Sequence, residues 1–72
     1  MARQKLKARR AAFGLTQEEV AFYAGISRPY YTEVENGNKN CALKTWLKIA
    51  ELLQIPESEL ISYMKDGMTK GA

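Results

Sequence analysis

The chain has 72 residues, 46% of them hydrophobic, which is enough for one small domain near the lower size limit for folding on a core alone. One cysteine and no histidine exclude a disulfide within the chain and a conventional zinc site, and no cofactor is expected. With a formal net charge of +3, no apolar span of membrane length and no signal peptide, a soluble cytoplasmic protein is expected, with no membrane partner.

Residues 3–13 are predicted to form the first helix, with Leu6 and Arg10 turned inward. Phe13 is a further inward candidate, and Gly14 is the expected C-cap. The stretch holds several cations and no acid: Arg3, Lys5, Lys7, Arg9 and Arg10. Taken alone, these charges fit either a patch that binds phosphate or ordinary solvated helix surface.

A second helix is predicted to begin after Thr16. Glu19 follows three residues later, so the hydroxyl and the carboxylate can each accept one unpaired N–H group, as in a capping box. Gly25 can adopt the positive φ that ends a helix without a Cβ clash. The inward positions of this short helix are Val20, Ala21 and Ala24.

A third helix is predicted from Arg28 or Pro29, with Ser27 as its N-cap. The turn signal of Asn36 and Gly37 ends it. Because only residues 25–27 join it to the second helix, the two helices must cross sharply. Its outer side is predicted to carry Arg28, Pro29, Thr32 and Glu33, which could meet base edges.

A fourth helix over residues 43–53 is indicated by an apolar stripe at positions 43, 46, 47, 50 and 53, widened by Ile49 and Leu52. Pro56 opens a fifth helix that ends at Asp66 and Gly67. The apolar side of the fifth helix is Leu60, Ile61 and Met64. A second basic cluster lies after the third helix and comprises Lys39, Lys44 and Lys48.

Residues 16–37 resemble the helix-turn-helix of the lambda-repressor and Cro family, also called the XRE family. The matching residues are Gln17, Val20, Ala21, Gly25, Ile26, Ser27, Val34, Glu35, Asn36 and Gly37. The likeness extends upstream through Arg10, Gly14 and Leu15 and downstream through residues 47–55. It implies an all-α, compact five-helix domain over residues 1–66, followed by a flexible C-terminal tail over residues 67–72.

The resemblance also implies which residues contact DNA: Gln17, Ser27, Arg28, Pro29, Tyr30, Thr32, Glu33, Asn38, Lys39 and Asn40. Gln17 matches a position that donates to a phosphate, and Arg28 is the strongest candidate for a guanine contact, with phosphate as the competing target. With this resemblance, the basic clusters are interpreted as phosphate contacts that flank the reading helix. Arg10 and Glu35 are expected to form a partly buried structural ion pair.

Three departures from the family pattern change the expected contacts. Pro29 replaces a commonly polar base-reading residue, so only an apolar contact such as a thymine methyl is open to it. Tyr31 stands where relatives carry Ile or Val, and its hydroxyl needs water or a partner. Cys41 and Ala42 replace a Pro-Ser pair, so the loop of residues 38–40 is the expected source of the cap for the fourth helix.

The resemblance implies a sequence-specific regulator of transcription, most simply a repressor that binds a double-stranded DNA operator as a homodimer. The candidates for dimer contacts are Leu52, Ile61, Tyr63 and Met64, with core packing as their alternative role. The competing hypothesis is an antitoxin or adaptor whose helix-turn-helix mainly binds a protein partner. Catalysis is not expected, because Cys41 has no histidine to activate it and the acids are scattered over helix surfaces.

Overall fold

A computed structural model of the protein describes residues 2–66, and the predicted tail at 67–72 lies outside them. The described residues form five helices and no strand, in agreement with the all-α, five-helix expectation. The helices are α1 (Gln4–Ala12), α2 (Gln17–Ala24), α3 (Arg28–Glu35), α4 (Leu43–Leu53) and α5 (Glu57–Lys65). None of them is long and apolar enough to cross a membrane.

The boundaries of α2 and α3 follow the local chemistry of the sequence. Thr16 and Glu19 form the predicted capping box, with Thr16 Oγ1 accepting from Glu19 N at 3.1 Å and Glu19 Oε1 accepting from Thr16 N at 2.8 Å. Gly25 ends α2 at φ 78°, in the left-handed region where a side chain would be strained. Ser27 then caps α3. The short connection between the two caps sets the crossing of α2 and α3.

The core forms where α2 and α3 pack on one another and on α1 and α4. Trp46 is its largest side chain and has no exposed surface. Around it lie Leu6 from α1, Val20 from α2 and Val34 from α3, each also fully buried. Burying one large apolar side chain contributes about 1.5–3 kcal/mol. These contacts therefore hold the helix-turn-helix between α1 and α4.

Three apolar positions that were expected to face inward are exposed, and so is Ile61, for which a dimer contact and core packing were both predicted. Phe13 is at the surface beside the Arg9 guanidinium, which lies 5.8 Å from its ring centroid. Leu43 and Leu47 are exposed because the buried face of α4 runs along Trp46, Ile49, Ala50 and Leu53 and is narrower than predicted. In α5, Leu60 is buried as expected, but Ile61 is 61% exposed and Tyr63 is buried instead. Leu43, Leu47 and Ile61 therefore leave apolar side chains on the surfaces of α4 and α5.

Candidate nucleic-acid interface

The first turn of α3 is exposed and is built to project side chains. Ser27 Oγ accepts from Tyr30 N at 3.2 Å, which satisfies one of the amides at the start of the helix. Arg28 and Pro29 occupy this turn and are both exposed. Pro29 costs no helical hydrogen bond there. The Arg28 side chain makes no hydrogen bond or ion pair with any residue between 2 and 66, so its guanidinium is available to a ligand.

The other end of α3 is held by Glu35, which is only 1% exposed. Arg10 from α1 donates to it from Nε at 2.7 Å and from Nη2 at 3.1 Å, in a two-pronged ion pair. Gln17 from α2 donates at 2.8 Å, and the buried Tyr31 hydroxyl donates at 3.0 Å. The carboxylate thus joins three helices. It is also the partner that the Tyr31 hydroxyl was expected to need.

The same contacts decide the charge state of this cluster. Burial alone would raise the pKa of Glu35, but the hydrogen bonds from Arg10, Gln17 and Tyr31 together bring it below its ordinary value. Burial and the neighbouring Glu35 charge raise the pKa of Tyr31 far above its ordinary value. At neutral pH the cluster therefore holds an anionic Glu35, a cationic Arg10 and a neutral Tyr31.

Gln17 and Thr32 make contacts within the protein as well as occupying predicted DNA positions. The Thr32 hydroxyl donates to Gln17 Oε1 at 2.8 Å, while Gln17 Nε2 donates to Glu35. An amide nitrogen carries two hydrogens, so one N–H of Gln17 remains for a phosphate. The methyl group of Thr32 is not used by its hydrogen bond. The spacing of these residues in the sequence did not reveal this bridge between α2 and α3.

The loop of residues 38–40 is bonded to α3. Glu33 accepts from the side chain of Asn38 at 2.9 Å, and its carbonyl accepts from the amides of Asn38 at 2.9 Å and Lys39 at 3.3 Å. The Tyr30 hydroxyl donates to the Asn40 carbonyl at 3.1 Å. The Lys39 ammonium lies 5.4 Å from the centroid of the Tyr30 ring. The predicted contact residues of α3 and of the loop therefore form one continuous surface.

The loop does not cap α4, contrary to expectation. Ala42 occupies the N-cap position, and no side chain bonds to the first amides of the helix. Asn40, which could have supplied an oxygen, accepts instead from the guanidinium of Arg3. The start of α4 therefore lacks a side-chain cap that would contribute about 1 kcal/mol.

The N-terminal basic cluster is not the open phosphate patch that was predicted. Arg3 has no exposed surface, and Arg10 is paired with Glu35. Lys5 donates to Ser62 Oγ at 2.7 Å. Arg9 donates to the carbonyls at the end of α4, including that of Leu53 at 2.9 Å. The helix dipole favours a cation at this end of a helix. By contrast, Lys39, Lys44 and Lys48 of the second cluster are exposed.

Metal ligation and thiol chemistry were the other possible roles of the polar side chains in residues 2–66. Among residues 2–66, no group of three or more His, Cys, Asp and Glu side chains could hold a metal ion. Burial raises the pKa of the Cys41 thiol to about 11, which opposes the thiolate that a nucleophile requires. The polar groups that include an exposed cation lie instead on α3 and in the loop after it.

Comparison with known proteins identifies this architecture. A family model described as helix-turn-helix matches residues 6–60, which include all of α2 and α3. The chain belongs to the XRE-type helix-turn-helix family. Members of this family are DNA-binding transcriptional regulators, and the exposed first turn of α3 is the start of the second helix of the motif.

Two curated relatives and one solved structure are similar over most of the chain. An uncharacterised HTH-type transcriptional regulator, YqaF of Bacillus subtilis, is 47% identical over 53 residues, which are 74% of this chain and 70% of the relative. The control protein C.MunI of a Mycoplasma species is 39% identical over 56 residues, 78% of this chain and 76% of that protein. The crystal structure of the restriction-modification controller protein C.AhdI from Aeromonas hydrophila is 43% identical, with a TM-score of 0.72, covering 81% of this chain and 88% of C.AhdI. These relatives are named as regulators and not as enzymes.

Proposed function

We propose that the protein is a cytoplasmic, non-catalytic repressor that reads a specific sequence in double-stranded DNA, with α3 in the major groove. One observation carries this proposal: the exposed first turn of α3 presents Arg28 without a partner among residues 2–66, while Glu35 anchors the far end of the helix to α1 and α2. A guanidinium can donate to O6 and N7 of guanine together. Rigid support matters because base discrimination depends on accurate placement of the donors.

The remaining contacts of the proposed interface divide by chemistry. Pro29 and Thr32 can offer apolar surface to a thymine methyl, and Glu33 can accept from cytosine N4 with the carboxylate oxygen that Asn38 does not use. Phosphate contacts would come from side chains in the first turn of α2, at the start of α3 and in the loop: Gln17, Ser27, Tyr30, Asn38, Lys39 and Asn40. Such contacts position the protein, whereas the base contacts choose the sequence.

A homodimer on a two-fold operator is the proposed assembly. Successive half-sites on one face of DNA lie about 34 Å apart, and each needs its own reading helix. The described part of one copy measures 31 × 26 × 22 Å and has a single α3, so one copy cannot fill both. Exposed apolar side chains on α4 and α5 offer surface for the second copy: Leu43, Leu47 and Ile61. Among the predicted dimer residues, Tyr63 is in the core and Leu52 and Met64 pack against it.

The experiment is to select bound sites from a random DNA pool and then compare Arg28→Ala with wild type on operator variants. We expect the variant to remain folded and to lose about 1–3 kcal/mol of discrimination at one base pair. Lys7→Ala is the matched control, because it removes one positive charge from another exposed side chain on α1. Equal discrimination by Arg28→Ala and wild type would refute the assignment.

A protein partner is the second candidate, favoured by the exposure of Phe22 on α2, of which 87% is in contact with solvent. Salt distinguishes the two functions. A DNA complex with about six phosphate contacts loses affinity by at least about 10³-fold between 50 and 200 mM salt. A flat response, together with no enrichment from the DNA pool, would favour the antitoxin or adaptor hypothesis.

A further inference from the structure

Arg3 is a fully buried arginine whose guanidinium bonds to three separate segments of the chain. It donates from Nη1 to the Val34 carbonyl at the end of α3 and to the Lys39 carbonyl at 3.0 Å. From Nη2 it donates to Asn40 Oδ1 and to the Met64 carbonyl, the latter at 3.1 Å. The guanidinium carbon also lies 5.3 Å from the centroid of the Trp46 ring.

This arrangement requires arginine. The partners are carbonyl and amide oxygens in several directions, and a guanidinium offers five N–H donors in one rigid plane. A lysine ammonium has three donors on a single nitrogen and cannot reach oxygens that are spread around the edge of that plane. The backbone amide of Arg3 adds a bond to the Glu35 carbonyl at 2.7 Å, so the residue is held from both its backbone and its side chain.

The contacts of Arg3 complete the support of residues 38–40. From one side, Glu33 bonds to the amides of Asn38 and Lys39. From the other, Arg3 bonds to the Lys39 carbonyl and the Asn40 side chain. The backbone of Lys39 is therefore held on both sides while its ammonium stays exposed near Tyr30. A cation on a backbone that is already ordered loses less conformational entropy when it binds.

We propose that Arg3 is a positioning residue for nucleic-acid binding, which acts from inside the fold by holding Lys39 where its ammonium meets a DNA phosphate. This inference rests on the proposed DNA-binding function. It gives the N-terminal segment a part in recognition although Arg3 itself cannot touch DNA, since its side chain is covered by the ends of α3 and α5 and by the loop.

The test is Arg3→Lys, which keeps the charge and removes the planar set of donors. Affinity for a selected DNA site is measured across a salt series. We expect a loss on the order of tenfold and a salt slope shallower by about 0.9, the value for one phosphate contact, with base preference unchanged. Arg9→Lys is the matched control, because Arg9 on α1 also bonds to backbone carbonyls but does so at the end of α4. An unchanged salt slope in folded Arg3→Lys overturns the proposal.

A double-mutant cycle with Lys39→Ala separates positioning from general stability. If Arg3 acts through Lys39, Arg3→Lys costs little further affinity once Lys39 is alanine, whereas additive losses overturn the inference.

Backbone ¹⁵N relaxation of the wild-type protein is an independent test that needs no variant. Order parameters near 0.85 at residues 38–40 without DNA are expected, and values below about 0.6 overturn it. Failure of wild type to bind any DNA site would instead overturn the proposed function itself.

Discussion

The Thr32 hydroxyl donates to the amide oxygen of Gln17 at 2.8 Å, which joins the first turn of α2 to the middle of α3. The amide nitrogen of Gln17 donates to Glu35 at the end of α3, also at 2.8 Å. One side chain thus sets the position of α3 along α2 at two points. Residues proposed to touch DNA therefore also stabilise the motif, so their substitution has to be followed by both stability and binding.

Gln17→Ala is expected to lower the free energy of unfolding by about 1–3 kcal/mol, because Thr32 and Glu35 each lose a hydrogen-bond partner. Urea unfolding followed by circular dichroism measures the change. Gln4→Ala is the control, since Gln4 is exposed on α1 and its loss should change stability by no more than about 0.5 kcal/mol. Equal unfolding free energies for the two variants would contradict the structural role of Gln17.

Local features of the fold could be predicted from the sequence, and distant contacts could not. The capping box at Thr16 and the positive φ at Gly25 depend on residues within a few positions, so the sequence pattern contains the needed information. The partners of Arg3 lie 31 to 61 positions away, and no local rule distinguishes it from a solvated cation. Periodicity likewise identified α4 but not the width of its buried face, so Leu43 and Leu47 were wrongly assigned to the core.

Glu35 should make the stability of the protein depend on acid pH. Its pKa is lowered in the folded state, so its contribution is fully present above the ordinary value of 4.5 and is lost as pH falls through the lowered value. The free energy of unfolding is measured in urea for wild type and Glu35→Gln between pH 3 and 7. The difference between them should be constant above about pH 5.5 and should shrink below it. A difference that is independent of pH throughout would contradict this assignment.

Cys41 should react slowly in the folded protein. Burial raises the pKa of its thiol to about 11 despite the opposing positive charge of Arg3, against an ordinary value of 9.0. Because only the thiolate attacks, a disulfide reagent at pH 8 should react about a hundredfold more slowly with native protein than with protein unfolded in urea. The release of the coloured thiolate from the reagent measures both rates, and free cysteine in each buffer corrects for the effect of urea. Equal corrected rates would show that the thiol is neither buried nor raised in pKa.

Ile61→Lys is expected to weaken the proposed homodimer without unfolding the monomer. Ile61 is 61% exposed in the single chain, so the substitution has little effect on the core, but an ammonium buried between two copies would lose its hydration. Sedimentation equilibrium should show a dimer dissociation constant raised by at least about tenfold, which corresponds to about 1.4 kcal/mol. Phe22→Lys is the matched control, since Phe22 is 87% exposed on α2 and outside the proposed α4 and α5 surface. If Phe22→Lys dissociates the dimer and Ile61→Lys does not, the interface includes α2 and not the proposed surface of α4 and α5. The contact between the two copies would then bury the Phe22 ring.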